Sequence, residues 1–183
     1  EAGSWYPSTV KLDTKSKSEG KASVTNNLSA EQALRENSFR FVPVSPLDLT
    51  GGKELRFDMY VSDPALLAQR TSWAVRLSSS SRGTDDYIQW TLADFGTLKE
   101  GWNSVTLDDA KTSGDFQLSS VEAFYMLAEE ASFEEGELVM VKLDNIRVSG
   151  ASSGDKDDDS SHGGSPDTGV AAPVLPAALA VAT

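Results

Sequence analysis

Cysteine is absent from this chain of 183 residues, and histidine occurs once, at His162. A chain without cysteine cannot form disulfides, thiolate metal sites or a cysteine nucleophile. Since His162 lies in a segment rich in Ser, Asp and Gly, the part that can fold also lacks the histidine required by a Ser-His-Asp triad or a histidine metal site.

Basic residues are few. The chain has 16 Lys and Arg and 28 Asp and Glu, which gives a net charge of −12. Such a surface repels phosphate backbones and anionic headgroups, so we expect no nucleic-acid partner and no binding to bilayer surfaces.

The composition changes at Gly150. From there the chain holds five aspartates and one lysine, a net −4, which leaves −8 for the preceding residues. We therefore predict one domain over residues 1–149, a disordered acidic spacer over 150–164, and a separate segment over 165–183 that ends in an apolar stretch. A domain of this length can bury a sizeable core.

Short strands joined by Gly, Ser, Asn and Asp turns fill the predicted domain. Apolar and polar residues alternate in three of them, Glu54–Val61, Ser72–Ser78 and Tyr87–Leu92. Further strands are predicted at Ala22–Asn26, Ser38–Val42, Asn103–Leu107, Ala123–Ala128, Leu138–Leu143 and Asn145–Val148. Helix-like segments are confined to Ala30–Glu36, Pro64–Gln69 and Leu92–Leu98. Many strands with one apolar face each predict an all-β fold, an antiparallel β-sandwich.

Four segments, in this order, resemble the galactose-binding-like jelly roll, the fold of many carbohydrate-binding modules. They are Ser18–Val24, with its Glu-Gly-x-x-Ser pattern, Leu47–Val61, the Gly-Trp-Asn segment in Leu98–Leu107, and the Asp-Asn-Ile segment in Leu143–Val148. The resemblance covers roughly residues 10–149. It implies a monomeric, non-catalytic module that binds a polysaccharide, and it allows such a module to be accessory to a glycan-degrading enzyme. The alternative is a structural spacer or a protein-binding adhesin domain without a sugar site.

The C-terminal segment resembles the sorting signal of Gram-positive cell-wall-anchored proteins. Pro166, Thr168 and Gly169 match its Pro-x-Thr-Gly pattern, and an apolar stretch follows. The resemblance implies that a sortase cleaves between Thr168 and Gly169 and joins the protein to peptidoglycan outside the cell, with membrane contact only through the transient tail. Two differences stand out: Ser165 replaces the leucine of the family pattern, and 14 residues follow Gly169, whereas a membrane helix needs about 20. An Ala/Pro-rich low-complexity end is the alternative.

Glycan binding needs aromatic faces for the apolar faces of sugar rings and polar side chains for their hydroxyls. If the apolar residues of each strand face the core, the opposite positions form one polar face on neighbouring strands. We predict that a glycan binds there to Arg56, Asp58, Tyr60, Arg76, Tyr87, Gln89 and Tyr125. The alternative is an ordinary solvated sheet face. Among the tryptophans, Trp73 and Trp90 are predicted in the core, and Trp102 is predicted to cap one end of it.

The resembled fold also implies a structural calcium ion, held by carboxylate and backbone oxygens. The matching positions are Asp13, Glu19 and Asp144. For Asp144 a hydrogen-bonded turn carboxylate is an equal alternative. Catalysis by paired carboxylates is the weaker hypothesis, because the acid-rich stretch around Gly136 has the pattern of exposed loop charge, so we predict that the domain is not an enzyme.

Overall fold

A computed structural model describes residues 3–80, 85–108, 110–150 and 174–175. Strands dominate this part of the chain, and its one α-helix, α1, spans Pro64–Arg70. The strands are β1 Gly3–Tyr6, β2 Lys11–Asp13, β3 Ser23–Ser29, β4 Phe39–Pro43, β5 Glu54–Val61, β6 Thr71–Ser78, β7 Tyr87–Thr91, β8 Gly101–Leu107, β9 Lys111–Ser113, β10 Ala123–Ala131, β11 Leu138–Ser149 and β12 Val174–Leu175. Three short 3-10 helices lie at Leu34–Glu36, Leu92–Phe95 and Leu118–Ser120.

The strands form two sheets. Sheet A has the order β1-β4-β10-β6-β7-β9, and sheet B has the order β2-β3-β11-β5-β8 with β12 paired to β11. Every strand pair is antiparallel. The predicted all-β fold, an antiparallel β-sandwich, is therefore confirmed.

The core lies between the two sheets, where alternation along each strand places it. In β5 each second residue, from Leu55 to Val61, is buried, while the residues between them are half-buried on the outer side. Trp73 and Trp90 are buried as predicted. Trp5, whose position was not predicted, packs against Phe41, with the two ring centroids 5.2 Å apart. Burial of such large apolar side chains stabilises the fold by removing apolar area from water.

Of the connections that cross between the sheets, those from β5 to β6 and from β7 to β8 lie close together at one end of the sandwich. Helix α1 joins β5 in sheet B to β6 in sheet A, and it begins after Asp63, whose Oδ1 accepts a hydrogen bond from the Leu66 N–H at 2.9 Å. Such a capping carboxylate satisfies an N–H that the first helical turn leaves without a partner. The 3-10 helix Leu92–Phe95 lies on the return path from β7 in sheet A to β8 in sheet B.

The remaining differences from the sequence predictions are local. The two predicted strands around Asp144 are one strand, β11, whose pairing with β5 is irregular between Asp144 and Arg147, and Asn145 there has a φ of 51°. The helix predicted at Ala30–Glu36 is reduced to the 3-10 turn Leu34–Glu36. Strands β1, β2, β9 and β12 were not predicted. No helix within the described residues is long and apolar enough to cross a membrane.

Candidate functional site

The residues predicted to share one glycan face lie on two different sheets. Arg56, Asp58 and Tyr60 belong to β5 in sheet B, whereas Arg76, Tyr87, Gln89 and Tyr125 belong to β6, β7 and β10 in sheet A. All seven alternate with core residues along their strands, so they lie on the outer faces of opposite sheets, where Tyr125 alone is buried by its neighbours. The prediction of a single face is wrong because α1 moves the chain from one sheet to the other between β5 and β6.

On the outer face of sheet A, tyrosine and arginine alternate across five adjacent strands. The series, here called the Tyr–Arg row, runs from Tyr6 on β1 through Arg40 on β4, Tyr125 on β10 and Arg76 on β6 to Tyr87 on β7. Strand pairing places Tyr6 opposite Arg40, Arg40 opposite Tyr125 and Tyr125 opposite Arg76. Tyr87 is diagonal to Arg76, whose direct partner on β7 is Gln89.

Arg40 lies between two rings of the row. Its guanidinium carbon is 5.3 Å from the ring centroid of Tyr6 and 5.5 Å from that of Tyr125. Tyr125 is 4% exposed, and burial raises the pKa of its phenol against the opposing effect of the Arg40 charge. Tyr125 is therefore on a polar face as predicted. Its ring packs against Arg40 and is too buried to contact a ligand.

Arg76 is held in place by three neighbours. Its Nε donates to Oε1 of Gln89 at 2.6 Å, its Nη2 forms a 2.8 Å ion pair with Oε1 of Glu129, and its guanidinium carbon is 4.3 Å from the ring centroid of Tyr87. Because charge-assisted hydrogen bonds fix the planar guanidinium, the Tyr87 ring has a defined support. The structure thus brings together Arg76, Tyr87 and Gln89, three of the predicted residues.

The ends of the row remain accessible. Tyr6 is 47% exposed, and Tyr87 is half-buried at the opposite end. Between them the face presents guanidinium, amide and carboxylate groups, all of which can hydrogen-bond hydroxyls. Strands in a sheet lie about 4.8 Å apart, so the five-strand row extends for roughly 19 Å. An extended chain with alternating apolar and hydroxyl-rich surfaces could contact the row at several points.

The three predicted residues on sheet B engage other protein groups. Arg56 Nη2 pairs with Glu54 Oε2 at 2.6 Å. Asp58 accepts hydrogen bonds from the hydroxyls of Ser18 at 2.7 Å and Ser104 at 2.8 Å. These contacts connect strands and loops of the sheet, as expected of an ordinary solvated face.

Tyr60 forms an edge contact with Trp102, with ring centroids 5.8 Å apart. Since Tyr60 faces Trp102 in the strand register and lies outside the core, Trp102 lies on the outer side of sheet B. The prediction that Trp102 caps the core is therefore wrong. Alternation along β8 places Val105 and Leu107 inward and Trp102 outward.

Two of the carboxylates predicted to bind calcium, those of Asp144 and Asp13, accept hydrogen bonds from protein groups instead. Oδ2 of Asp144 accepts from the Ser18 N–H, the Ser18 hydroxyl and the Glu19 N–H at 2.9, 3.1 and 2.9 Å. Asp13 Oδ2 accepts from Lys142 Nζ at 2.6 Å. Donor hydrogens surrounding a carboxylate carry the same sign of charge as a cation, so this arrangement does not fit a calcium ion.

Glu19 takes part in this arrangement through its backbone N–H. Across the described ranges, no three His, Cys, Asp or Glu side chains converge in a way that could hold a metal ion. The contacts of Asp144 are those of a hydrogen-bonded carboxylate, the second of its two alternatives, but Asp144 lies within β11 and not in a turn. Pro166, Thr168 and Gly169 of the sorting-signal resemblance lie outside the described residues.

Sequence reasoning missed Tyr6 and Arg40. Arg40 had a usable signal, because it stands between Phe39 and Phe41 in a strand that was predicted, which places it on the outer face by alternation. Tyr6 had none, since the four residues of β1 are too few to show a period. Their position beside Tyr125 depends on the long-range pairing of β1, β4 and β10.

No protein-family model matches the chain, and no curated protein matches its sequence. Solved structures do match its fold. A family 30 carbohydrate-binding module superposes with a TM-score of 0.53 at 15% identity, covering 85% of this chain and 80% of the module. The family 30 carbohydrate-binding module of a cellulosomal cellulase of Clostridium thermocellum gives a TM-score of 0.52 at 15% identity, covering 80% of this chain and 85% of that one. At this identity the likeness establishes the β-sandwich fold alone.

Proposed function

We propose that the domain is a non-catalytic module that binds a polysaccharide chain across the outer face of sheet A. The observation that carries the proposal is the Tyr–Arg row, a run of rings and guanidinium groups on adjacent strands whose two end rings, Tyr6 and Tyr87, are accessible. Tyr6 and Tyr87 would pack against apolar faces of sugar rings, and Arg76 and Gln89 would hydrogen-bond hydroxyls. The likeness to family 30 carbohydrate-binding modules supports this function without locating the site.

A neutral glycan is the preferred ligand class. Arg76 already pairs with Glu129, so its charge is largely balanced before any ligand binds. The first 149 residues carry a net −8, which disfavours polyuronates and sulfated chains through long-range repulsion.

Affinity electrophoresis through gels containing soluble neutral polysaccharides tests the proposal. Tyr87→Ala removes an accessible ring of the row and should weaken retardation about tenfold or more, equivalent to roughly 1.4 kcal/mol. The matched control is Tyr60→Ala, which removes a half-buried tyrosine from the outer face of sheet B and should leave retardation unchanged.

If a polysaccharide retards the wild type, an equal loss of retardation in the Tyr87→Ala and Tyr60→Ala variants would contradict a site on sheet A. Absence of retardation by every polysaccharide would favour the alternative of a spacer or adhesin domain. The packing of Tyr60 against Trp102 and Lys142 agrees with that alternative on sheet B, whereas the exposed Tyr6 favours a ligand on sheet A.

We also propose that the protein is displayed outside a Gram-positive cell and anchored to peptidoglycan through Thr168, where it would serve an associated glycan-degrading activity. The sequence resemblance at Pro166, Thr168 and Gly169 supports this proposal. Incubation with a sortase and an oligoglycine nucleophile should yield a product that ends at Thr168 joined to glycine, as read by mass spectrometry. A Thr168→Ala chain is the control, and an uncleaved wild-type chain would contradict the anchor.

A further inference from the structure

A cleft of about 830 Å³ opens at the end of the sandwich where the β5–β6 and β7–β8 connections meet. One wall is helix α1, and the other is the segment from Thr91 to Glu100 between β7 and β8. The first residues of β6, Thr71 to Trp73, form the base. This end cleft differs from the Tyr–Arg row, since none of the row's five residues lines it.

The lining of the end cleft is mostly apolar. Pro64 and Ala68 contribute from α1, and Leu92 and Leu98 contribute from the opposite wall. Pockets of about 300–1,000 Å³ with apolar walls and a few polar groups are typical of sites for small molecules. Trp73 closes the base but is 1% exposed, so it presents no open ring face on which a sugar could stack.

The charged residues that line the end cleft are all exposed. Asp63, Lys99 and Glu100 place two carboxylates and one ammonium there, a net negative charge that opposes an anionic ligand. The hydroxyl of Thr91 already donates to Asp94 Oδ2 at 2.9 Å, and that of Thr71 donates to the Leu67 carbonyl at 2.6 Å. The interior therefore favours an uncharged, largely apolar body.

We propose that the end cleft is a second ligand site, which takes a small neutral aromatic molecule. A ring that lies against these apolar walls would lose contact with water over part of its surface, which is the main source of affinity in such a pocket. A rigid ring also has less rotational freedom to lose on binding than a flexible acyl chain of similar area. This site is independent of the proposed glycan face.

Fluorescence titration with N-phenyl-1-naphthylamine, a neutral dye that brightens in apolar surroundings, tests the proposal on the full chain. The wild type should show a saturable increase with one site per chain. Ala68→Trp places a large ring in the cleft from an exposed position of α1 and should weaken dye binding at least tenfold. Gln69→Trp adds the same ring at the next exposed position, which does not line the cleft, and should leave binding intact.

Thermal melting confirms that each variant folds, and Ala65→Trp, also in the lining, replaces Ala68→Trp if the latter does not fold. A wild type without saturable brightening, or equal affinities in the Ala68→Trp and Gln69→Trp chains, would overturn the proposal. Tyr87→Ala should bind the dye as the wild type does. If only the glycan proposal is wrong, the wild type will show no retardation by polysaccharides but will still bind the dye at one saturable site.

Discussion

Replacing Asp144 with Asn tests whether this carboxylate fastens the chain segment before β3 to sheet B. Asp144 is 3% exposed. Its Oδ2 accepts from the Ser18 N–H, the Ser18 hydroxyl and the Glu19 N–H, and its Oδ1 accepts from the Asn145 N–H at 2.8 Å. An asparagine amide has one acceptor oxygen, so in either orientation its NH₂ group faces donors at one of these two positions.

The expected loss follows from these bonds. Hydrogen bonds to a charged group contribute about 1.5–3 kcal/mol each, compared with about 1 kcal/mol for neutral ones, and a donor left buried without an acceptor costs a further amount. We expect Asp144→Asn to lower the free energy of unfolding by about 2–3 kcal/mol, a fall in melting temperature of roughly 5–10 °C for a domain of this size. Asp48→Asn is the control, because Asp48 is an exposed turn carboxylate and should change stability by no more than about 0.5 kcal/mol.

Urea and thermal unfolding, each followed with calcium and with a chelator, provide the assay. If Asp144 acts through hydrogen bonds, the wild type unfolds at the same temperature in both solutions, and the Asn variant is equally destabilised in both. A chelator that lowers the wild-type melting temperature to that of the variant would refute the hydrogen-bond argument and restore the calcium prediction. Equal stabilities of wild type and variant would refute it as well.

The stability of the fold at acid pH should depend on Asp13. The pKa of this carboxyl is lowered from 3.8 to about 2, mainly by the hydrogen bond from Lys142. A lowered carboxyl pKa stabilises the fold above about pH 4 and loses this effect as the pH falls through about 2. Asp13→Asn should therefore lower the free energy of unfolding by about 1–2 kcal/mol at neutral pH, because Lys142 loses its carboxylate partner. Urea unfolding should show that the difference between wild type and variant shrinks from pH 4 to pH 2. A difference that does not change with pH would contradict this prediction. Trp90→Phe should cost about 1 kcal/mol more in urea unfolding than Trp73→Phe, because Trp90 Nε1 donates to the Asp108 carbonyl at 2.6 Å, while Trp73 Nε1 has no acceptor within the described ranges. Equal losses of unfolding free energy in the two variants would mean that the Trp90 hydrogen bond makes no net contribution to stability.

Much of the fold could be predicted from the sequence because alternation is a local property. The pattern in Glu54–Val61 gave the strand at its observed bounds and the correct inner side. The helix-like segment predicted at Pro64–Gln69 likewise matches α1 to within one residue. Short strands such as β9, all of whose residues are exposed, carry no such pattern and form because a neighbouring strand offers hydrogen bonds.

The candidate site was predictable only in part, because it depends on which strands are neighbours. Tyr87 and Gln89 were placed on the correct side of β7, and Arg76 on the correct side of β6. Sequential strands often pair, which made β5 a natural partner of β6, but β5 instead pairs with β8 and β11. A local pattern shows which side of a strand is polar; it does not show which sheet contains the strand.

The Tyr–Arg row has a consequence for the entropy of ligand binding. Arginine carries up to about 2 kcal/mol of rotamer freedom, which is lost wherever the side chain becomes fixed. In this domain Arg40 is held between two rings and Arg76 between Gln89, Glu129 and Tyr87, so that freedom is given up during folding. A ligand that binds across sheet A finds these groups already ordered, and a larger fraction of its contact energy appears as affinity.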